Sequence, residues 1–324
     1  MKPDISAAAA IIKGARRVLL ATHLQPDGDA IGSVLALDSL LRQLGKETVI
    51  VCQDPVPESL CFLPGWERVT SAAKFASMKH GAFDLSISVD ASDFARLGDC
   101  GSSFLSSPQS LKIDHHATNG VFAQVSYVDE EVAATGVLVY RLFEAFGATI
   151  TQDVAIYLYT ALSTDTGNFS FGKMTEELFS QMAALMKADL PIAAAARQLH
   201  LVKQPAYIRL LTRALDSLAY LSGGKLTRIL LRDSDFSDLD ANMEQAEGIV
   251  NFGLNIRGVK ATFLATETSE GVKFSLRSLP PYDVSRAATH FGGGGHVLAA
   301  GCTISKPFDE AVAMMSAYLE GMIT

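Results

Sequence analysis

The stretch RVLLATHLQPDGDAIGSVLALDSLLRQLG, residues 17–45, decides the fold. RVLLAT (17–22) is an apolar run that reads as a buried strand. From Ala30 onward the apolar residues recur at helical spacing, and they stop at Gly45, a residue suited to the left-handed turn that ends helices. Between strand and helix, HLQPDGD places His23, Asp27 and Asp29 within seven residues, around Pro26 and Gly28. A strand, a tight polar turn and a helix in that order begin a crossover unit. The sheet they enter is therefore expected to be parallel and covered by helices on both faces. The two carboxylates repel each other unless water or a cation stands between them.

The same texture continues outward. ETVIVC (47–52), DLSISV (84–89) and SLKI (110–113) read as further strands, the last two ending directly at Asp90 and Asp114. TGVLVYRLFEAFG (135–147) and DVAIYLYTALS (153–163) read as helices. Residues 1–189 are thus expected to form an α/β domain on a parallel sheet. Residues 190–211 read as a helical connector interrupted by Pro205. The remainder, 212–324, reads as a smaller mixed-sheet α+β domain. It holds a helix-like segment at 238–255, a hairpin of 258–267 and 271–278 around TSEG, the glycine-rich FGGGGHVLAAGCTI at 291–304, and a terminal helix from about 308 to 322.

Composition narrows the function classes. The chain has 324 residues, 48% of them hydrophobic, and a net charge of -8, which suits two folded domains and argues against a broad basic track for long nucleic acid. No stretch has the length of a membrane span. MKPDISAAAAIIKGARR at the start carries Asp4 before its apolar run and is not a secretory signal. Cys52, Cys61, Cys100 and Cys302 are scattered without a CxxC pair, which points to free thiols in the cytoplasm and away from a cysteine metal site.

In an open parallel sheet the strand carboxyl ends share one edge, and ligands bind in the crevice there. That edge should gather His23, Asp27 and Asp29 after the first strand, Asp90 after SISV, and Asp114, His115 and His116 after SLKI. Asp165, in STDTGNF, follows a helix and can reach the same edge from a loop. Singly these residues have ordinary readings as turns, helix caps or structural histidines. Jointly, aspartates crowded at one edge call for neutralisation, and two divalent cations would supply it. A mixed oxygen and nitrogen donor set suits manganese better than calcium, while iron and zinc are also compatible. A carboxylate bridging two cations about 3.5–4 Å apart is the arrangement used for phosphoester hydrolysis.

The ordered set HxxPDGDAIGS, SVDASDxxRLG, DHH and TDTGxF resembles the DHH phosphoesterase family, and FGGGGHxxAAG resembles the DHH-associated domain that accompanies it. In length, the chain is similar to the NrnA-type oligoribonucleases and 3′-phosphoadenosine-5′-phosphate (pAp) phosphatases. RecJ-type exonucleases are usually longer, and family II pyrophosphatases lack the glycine-rich motif. The resemblance implies that His23 and Asp27 hold one metal, that Asp29, His115 and Asp165 hold the other, and that Asp90 bridges them. It further implies that Asp114 orients the histidine behind it, that His116 faces the substrate phosphate and protonates the leaving oxygen, and that Arg96 in DFARLG helps take up phosphoryl charge.

In the second domain, Gly293, Gly294 and Gly295 would turn N–H groups toward an anion at the start of a following helix, with Ala299 and Ala300 letting that helix pack closely. His296 would donate to a phosphate or base edge. Residues 251–300 carry Arg257, Lys260, Lys273, Arg277 and Arg286 against Glu267, Glu270 and Asp283, so Arg257 and Arg277 are the expected grip on a short anionic ligand. The expected substrates are short RNA, dinucleotides and pAp, without a membrane partner. Cyclic-dinucleotide hydrolysis and a non-catalytic nucleotide sensor are the alternatives. A homodimer through the apolar 135–162 region is expected by analogy. Phe169 is expected either to stack on a base or to pack in the core.

Overall fold

The computed structural model describes residues 5–116 and 120–323, and the chain divides after Val202 into two units. The first unit runs α1 (Ile5–Gly14), β1 (Arg17–Thr22), α2 (Gly28–Gln43), β2 (Glu47–Cys52), β3 (Val69–Ser71), α3 (Ala72–Ser77), β4 (Leu85–Val89), α4 (Cys100–Leu105), β5 (Gln109–Asp114), β6 (Val125–Val128), α5 (Thr135–Phe146), α6 (Gln152–Asp165), α7 (Glu176–Lys187) and α8 (Ile192–Ala196). A π-turn over Arg197–Leu201 follows. The connector expected at 190–211 is thus shared between the units, its first part closing this one.

All strand pairs of the first sheet are parallel, in the order β3-β2-β1-β4-β5-β6. The order reverses between β1 and β4, so the crevice of a doubly wound sheet opens at the carboxyl ends of those two strands. His23 follows the first of them and Asp90 the second. Helices α2, α5 and α6 bury Val34, Leu37, Leu138, Leu142 and Leu158 on one face, while Leu19, Val51, Phe75, Leu97 and Phe104 form the core of the other. Each such side chain contributes about 1.5–3 kcal/mol when fully buried. The apolar residues of 135–162, offered above for a dimer contact, lie largely in this core.

The second unit runs α9 (Pro205–Asp216), β7 (Ala219–Leu221), β8 (Leu226–Leu231), α10 (Asp233–Leu239), α11 (Val250–Leu254), β9 (Ala261–Thr268), β10 (Gly271–Ser278), α12 (Val284–His290), β11 (Gly294–His296), β12 (Ala299–Ile304) and α13 (Phe308–Ile323). Its sheet has the order β11-β12-β10-β9-β8-β7 and is mixed, with β8 and β9 parallel and the other pairs antiparallel.

Two expectations fail here. The segment 238–255 is not one helix, because Asp240 (φ 50°) and Gly248 (φ 78°) adopt left-handed conformations that break it. The glycine motif does not lead into a helix. It forms the hairpin β11–β12, and the neighbouring helix α12 precedes it. Among the described residues, no helix is long and apolar enough to cross a membrane.

Candidate metal centre

The loop after β1 turns into α2, and Asp27 caps that helix, its Oδ1 accepting from the Ala30 N–H at 3.0 Å. Asp29, in the first turn, is fully buried. Three donors hold it. Ser33 Oγ, one helical turn on, donates to Oδ1 at 2.8 Å, and the N-terminus of α5 supplies the Thr135 N–H to Oδ2 at 2.6 Å and the Gly136 N–H to Oδ1 at 3.0 Å. Asp90 takes a left-handed φ of 59° immediately after β4. Its N–H donates to Ile113 O at 2.9 Å and its Oδ1 accepts from Thr135 Oγ1 at 2.8 Å, so both backbone and side chain are fixed.

The two oxygens of Asp90 face different histidines. Oδ2 is 3.5 Å from His23 Nε2, and Oδ1 is 3.8 Å from His115 Nε2. His23 Nε2 also lies 3.8 Å from Asp27 Oδ1, while His115 Nε2 lies 3.8 Å from Asp29 Oδ2 and 3.0 Å from Asp165 Oδ2. Asp165 is the last residue of α6 rather than part of a loop. Among the described residues, three sets have ligand atoms all within 4.8 Å of one another: His23, Asp27 and Asp90; Asp29, His115 and Asp165; Asp90, His115 and His116.

Electrostatics in this cluster call for positive charge. Burial opposes protonation of His23, but Asp27 and Asp90 outweigh it and carry the ring up to about 10. His115 is likewise opposed by burial and raised to about 10 by Asp165, Asp29 and Asp90. Burial, then Asp90 and Asp165, push the Asp29 carboxyl well above the usual range. Burial also raises Asp165, with His115 opposing. Asp90 goes the other way: burial would raise it, but His23, His115 and His116 hold it below the ordinary carboxylate range. The donors fit divalent cations that accept oxygen and nitrogen. His23 Nδ1 lies 2.7 Å from Leu24 O, which leaves Nε2 as the nitrogen that faces the carboxylates and is available to ligate. Arg96 Nη2 stands 3.0 Å from the same Nδ1, which places its guanidinium beside the cluster.

Behind the cluster, Asp114 is fully buried and directed at the second histidine. Its Oδ1 accepts from the His115 and His116 N–H groups at 2.9 and 3.3 Å and lies 2.7 Å from His116 Nδ1. Phe169 packs half-buried against the first core, 6.4 Å from Tyr159, so the packing reading holds for it.

A model of the DHH family N-terminal domain matches residues 17–162, and a model of the DHHA1 domain matches residues 226–321. The bifunctional oligoribonuclease and PAP phosphatase NrnA of Thermus thermophilus is 33% identical over 89% of this chain and 84% of its own. The chain belongs to the DHH family. NrnA of Bacillus subtilis is 25% identical over 91% of both chains. The crystal structure of an exopolyphosphatase-related protein from Bacteroides fragilis superposes with a TM-score of 0.91 at 25% identity, covering 98% of this chain and 97% of that one.

In the DHHA1 unit the expected substrate residues separate. Arg277 on β10, Ala299 on β12 and His296 on β11 are direct register partners, so they form one row across one face of the sheet. The Ser275, Gly301 and Gly294 row lies beside it. Burial lowers the pKa of Arg277, whose Nη1 donates to Leu276 O at 2.9 Å. Arg257 is exposed after α11 and lies outside these rows. The glycines also divide. A Cβ on Gly293 would sit 2.1 Å from Gly301 O, and one on Gly295 would sit 2.6 Å from Ala300 Cα, whereas one on Gly294 would meet nothing within 4 Å. Gly293 and Gly295 are therefore demanded by the close approach of β12, and Ala299 and Ala300 pack in a strand rather than a helix.

Sequence reasoning missed Thr135, Gly136, Ser33 and Lys112 around the centre. Ser33 was readable as the i+4 neighbour of Asp29. The contacts from α5 depend on tertiary packing and leave no local signal.

Proposed function

We propose that this DHH-family chain hydrolyses phosphoester bonds in short oligoribonucleotides and in pAp, using two divalent cations with manganese as the preferred metal. The observation that carries this reading is the position of Asp90, whose two oxygens face His23 on one side and His115 on the other, within donor sets completed by Asp27 and by Asp29 and Asp165. The names of the NrnA relatives support the substrate class. When bound, the cations supply a water acidic enough to attack phosphorus near neutral pH and offset charge on the phosphoryl oxygens.

The chain's own residues do the rest. Thr135 and Gly136 hold Asp29, and Thr135 Oγ1 holds Asp90, so the carboxylates are oriented before any ligand arrives. Asp114 fixes the Nδ1 edge of His116, which turns the opposite edge to the substrate for protonation of the leaving oxygen. Arg96 stands ready to take up phosphoryl charge. The DHHA1 unit contributes nucleotide binding through Arg277, His296 and Gly294, with Arg257 outside that group. The four free, scattered thiols support a reducing, cytoplasmic setting.

The test uses the full chain, freed of metal with chelator and reloaded with manganese. It is offered pAp, pApA, a cyclic dinucleotide and RNA of graded length. Hydrolysis of pAp and of the shortest RNAs, with rates falling as the strand lengthens, is the expected result. No turnover of any substrate would overturn the assignment in favour of a nucleotide sensor. A preference for the cyclic dinucleotide or for long strands would replace the substrate class.

A further inference from the structure

Lys112 is a fully buried cation that none of these steps uses. It sits on β5, and its register partners are Ser88 on β4 and Ser126 on β6, inside a parallel sheet where an apolar residue is the usual occupant. A buried ammonium persists only where it is paired and hydrogen-bonded. Its Nζ donates to Ser92 O at 2.7 Å, lies 3.2 Å from Asp114 Oδ2, and stands 5.1 Å from the centre of the Phe122 ring. Asp114 therefore connects two groups: Lys112 on Oδ2, and on Oδ1 the imidazole of His116 with two backbone N–H groups. Ser92 follows Asp90 by two residues, so the same ammonium also ties down the loop that carries the carboxylate between the two histidines.

From this geometry we infer that Lys112 is a positioning residue, fixing the ring of His116 through Asp114. A carboxylate gripped on one oxygen alone can rotate about its Cβ–Cγ bond, and the ring bound to it turns with it. The Lys112 ammonium, 3.2 Å from the second oxygen as an ion pair rather than a hydrogen bond, opposes that rotation. The consequence for catalysis rests on the reading that His116 protonates the leaving group. In that step the water oxygen forms a new bond to phosphorus and the ester P–O bond breaks. The leaving oxygen takes the proton from His116, and one proton from the water passes to solvent.

Two readouts test this in the full chain. The first is a nitrogen-15 spectrum recorded in chelator, with the His116 signal assigned by its loss in His116→Gln. The unmodified protein should show a His116 Nδ1–H resonance shifted far downfield and protected from exchange, and Lys112→Met should lose that protection. The second is leaving-group dependence with manganese present. Lys112→Met should lower kcat on a dinucleotide about 100-fold, and that loss should exceed the loss on bis(p-nitrophenyl) phosphate at least about tenfold, because nitrophenolate departs without a proton. Equal losses on the two substrates, or an unchanged His116 resonance, would overturn the inference. Lys112→Gln is the second variant, since its amide can still donate to Ser92 O. If neither variant folds while Lys112→Arg does, the residue is structural and the positioning role falls. If the unmodified protein cleaves no phosphoester, the proposed function fails, while the metal-free spectra still decide what Lys112 does.

Discussion

Raising the pH should strengthen manganese binding steeply, and the slope can be worked from the centre itself. His23 and His115 each have a pKa raised to about 10 by the carboxylates around them. At about pH 7.5 both rings therefore hold a proton on the nitrogen that faces the aspartates, and a cation must displace both. Two displaced protons make the product of the two association constants rise about 100-fold per pH unit between about pH 6.5 and 8. Titration calorimetry in two buffers of different ionisation enthalpy counts the protons directly. Heats that do not depend on the buffer, with an affinity flat over this range, would refute the charge balance assigned to the cluster.

The same shifts fix the sign of the stability profile in chelator. A histidine whose folded pKa is raised stabilises the fold fully below its unfolded value of 6.5, and that contribution is lost as the pH climbs through about 10. Asp29 and Asp165, both raised, also favour the fold in their protonated forms and lose that contribution as pH rises through their folded values. Asp90, lowered, contributes stability above its unfolded value, which holds throughout the neutral range. Without metal, the melting temperature should fall from about pH 6.5 to 9, and the increment gained from manganese should widen over the same interval.

Three further outcomes follow from the geometry. Asp90→Asn keeps the shape but removes the charge between His23 and His115; turnover should drop by at least about 100-fold and titration should no longer fit two cations, and near-normal turnover would contradict the bridge. Arg277→Ala should raise KM for a dinucleotide about tenfold while sparing a small nitrophenyl phosphodiester that needs no nucleotide grip, whereas parallel losses would make the residue structural. Gly32→Ala would put a Cβ 2.4 Å from Tyr157 O, so urea unfolding should report a loss of about 1–3 kcal/mol, and an unchanged midpoint would show that α2 can shift freely.

The parallel sheet was legible because its central strands are short, β-branched-rich segments that end directly on charged residues, as in SISV before Asp90 and SLKI before Asp114. The edge strands were not. β3 is three residues, VTS, and β6 is four, VSYV, too short to show a pattern of their own; their pairing with β2 and β5 makes them strands. The glycine motif misled for a related reason. FGGGGH reads equally as a turn into a helix or as one arm of a hairpin, and the choice falls to β12, which pairs with β10 on one side and β11 on the other. In the centre, the three strand-end segments could be expected to meet, since a parallel sheet aligns its carboxyl ends. The support from α5 could not, because no pattern in TGVLVYRLF shows that its first N–H groups meet a carboxylate more than a hundred residues earlier.

One part of HLQPDGDAIGS acquires its meaning only in three dimensions. Asp29 on α2 and Asp165 at the end of α6 belong to one donor set, yet packed helix axes usually stand 8–10 Å apart. Gly28 and Gly32 are one turn apart on the same face of α2. A Cβ on Gly28 would lie 2.3 Å from Thr164 Cγ2, beside Asp165, and one on Gly32 would lie 2.4 Å from the Tyr157 carbonyl of the same helix. Any side chain at either position pushes α2 away from α6 and draws Asp29 away from Asp165. The glycine after Asp27 thus does more than shape a turn. With the second glycine four residues on, it sets the spacing between two helices, and that spacing sets the distance between the carboxylates.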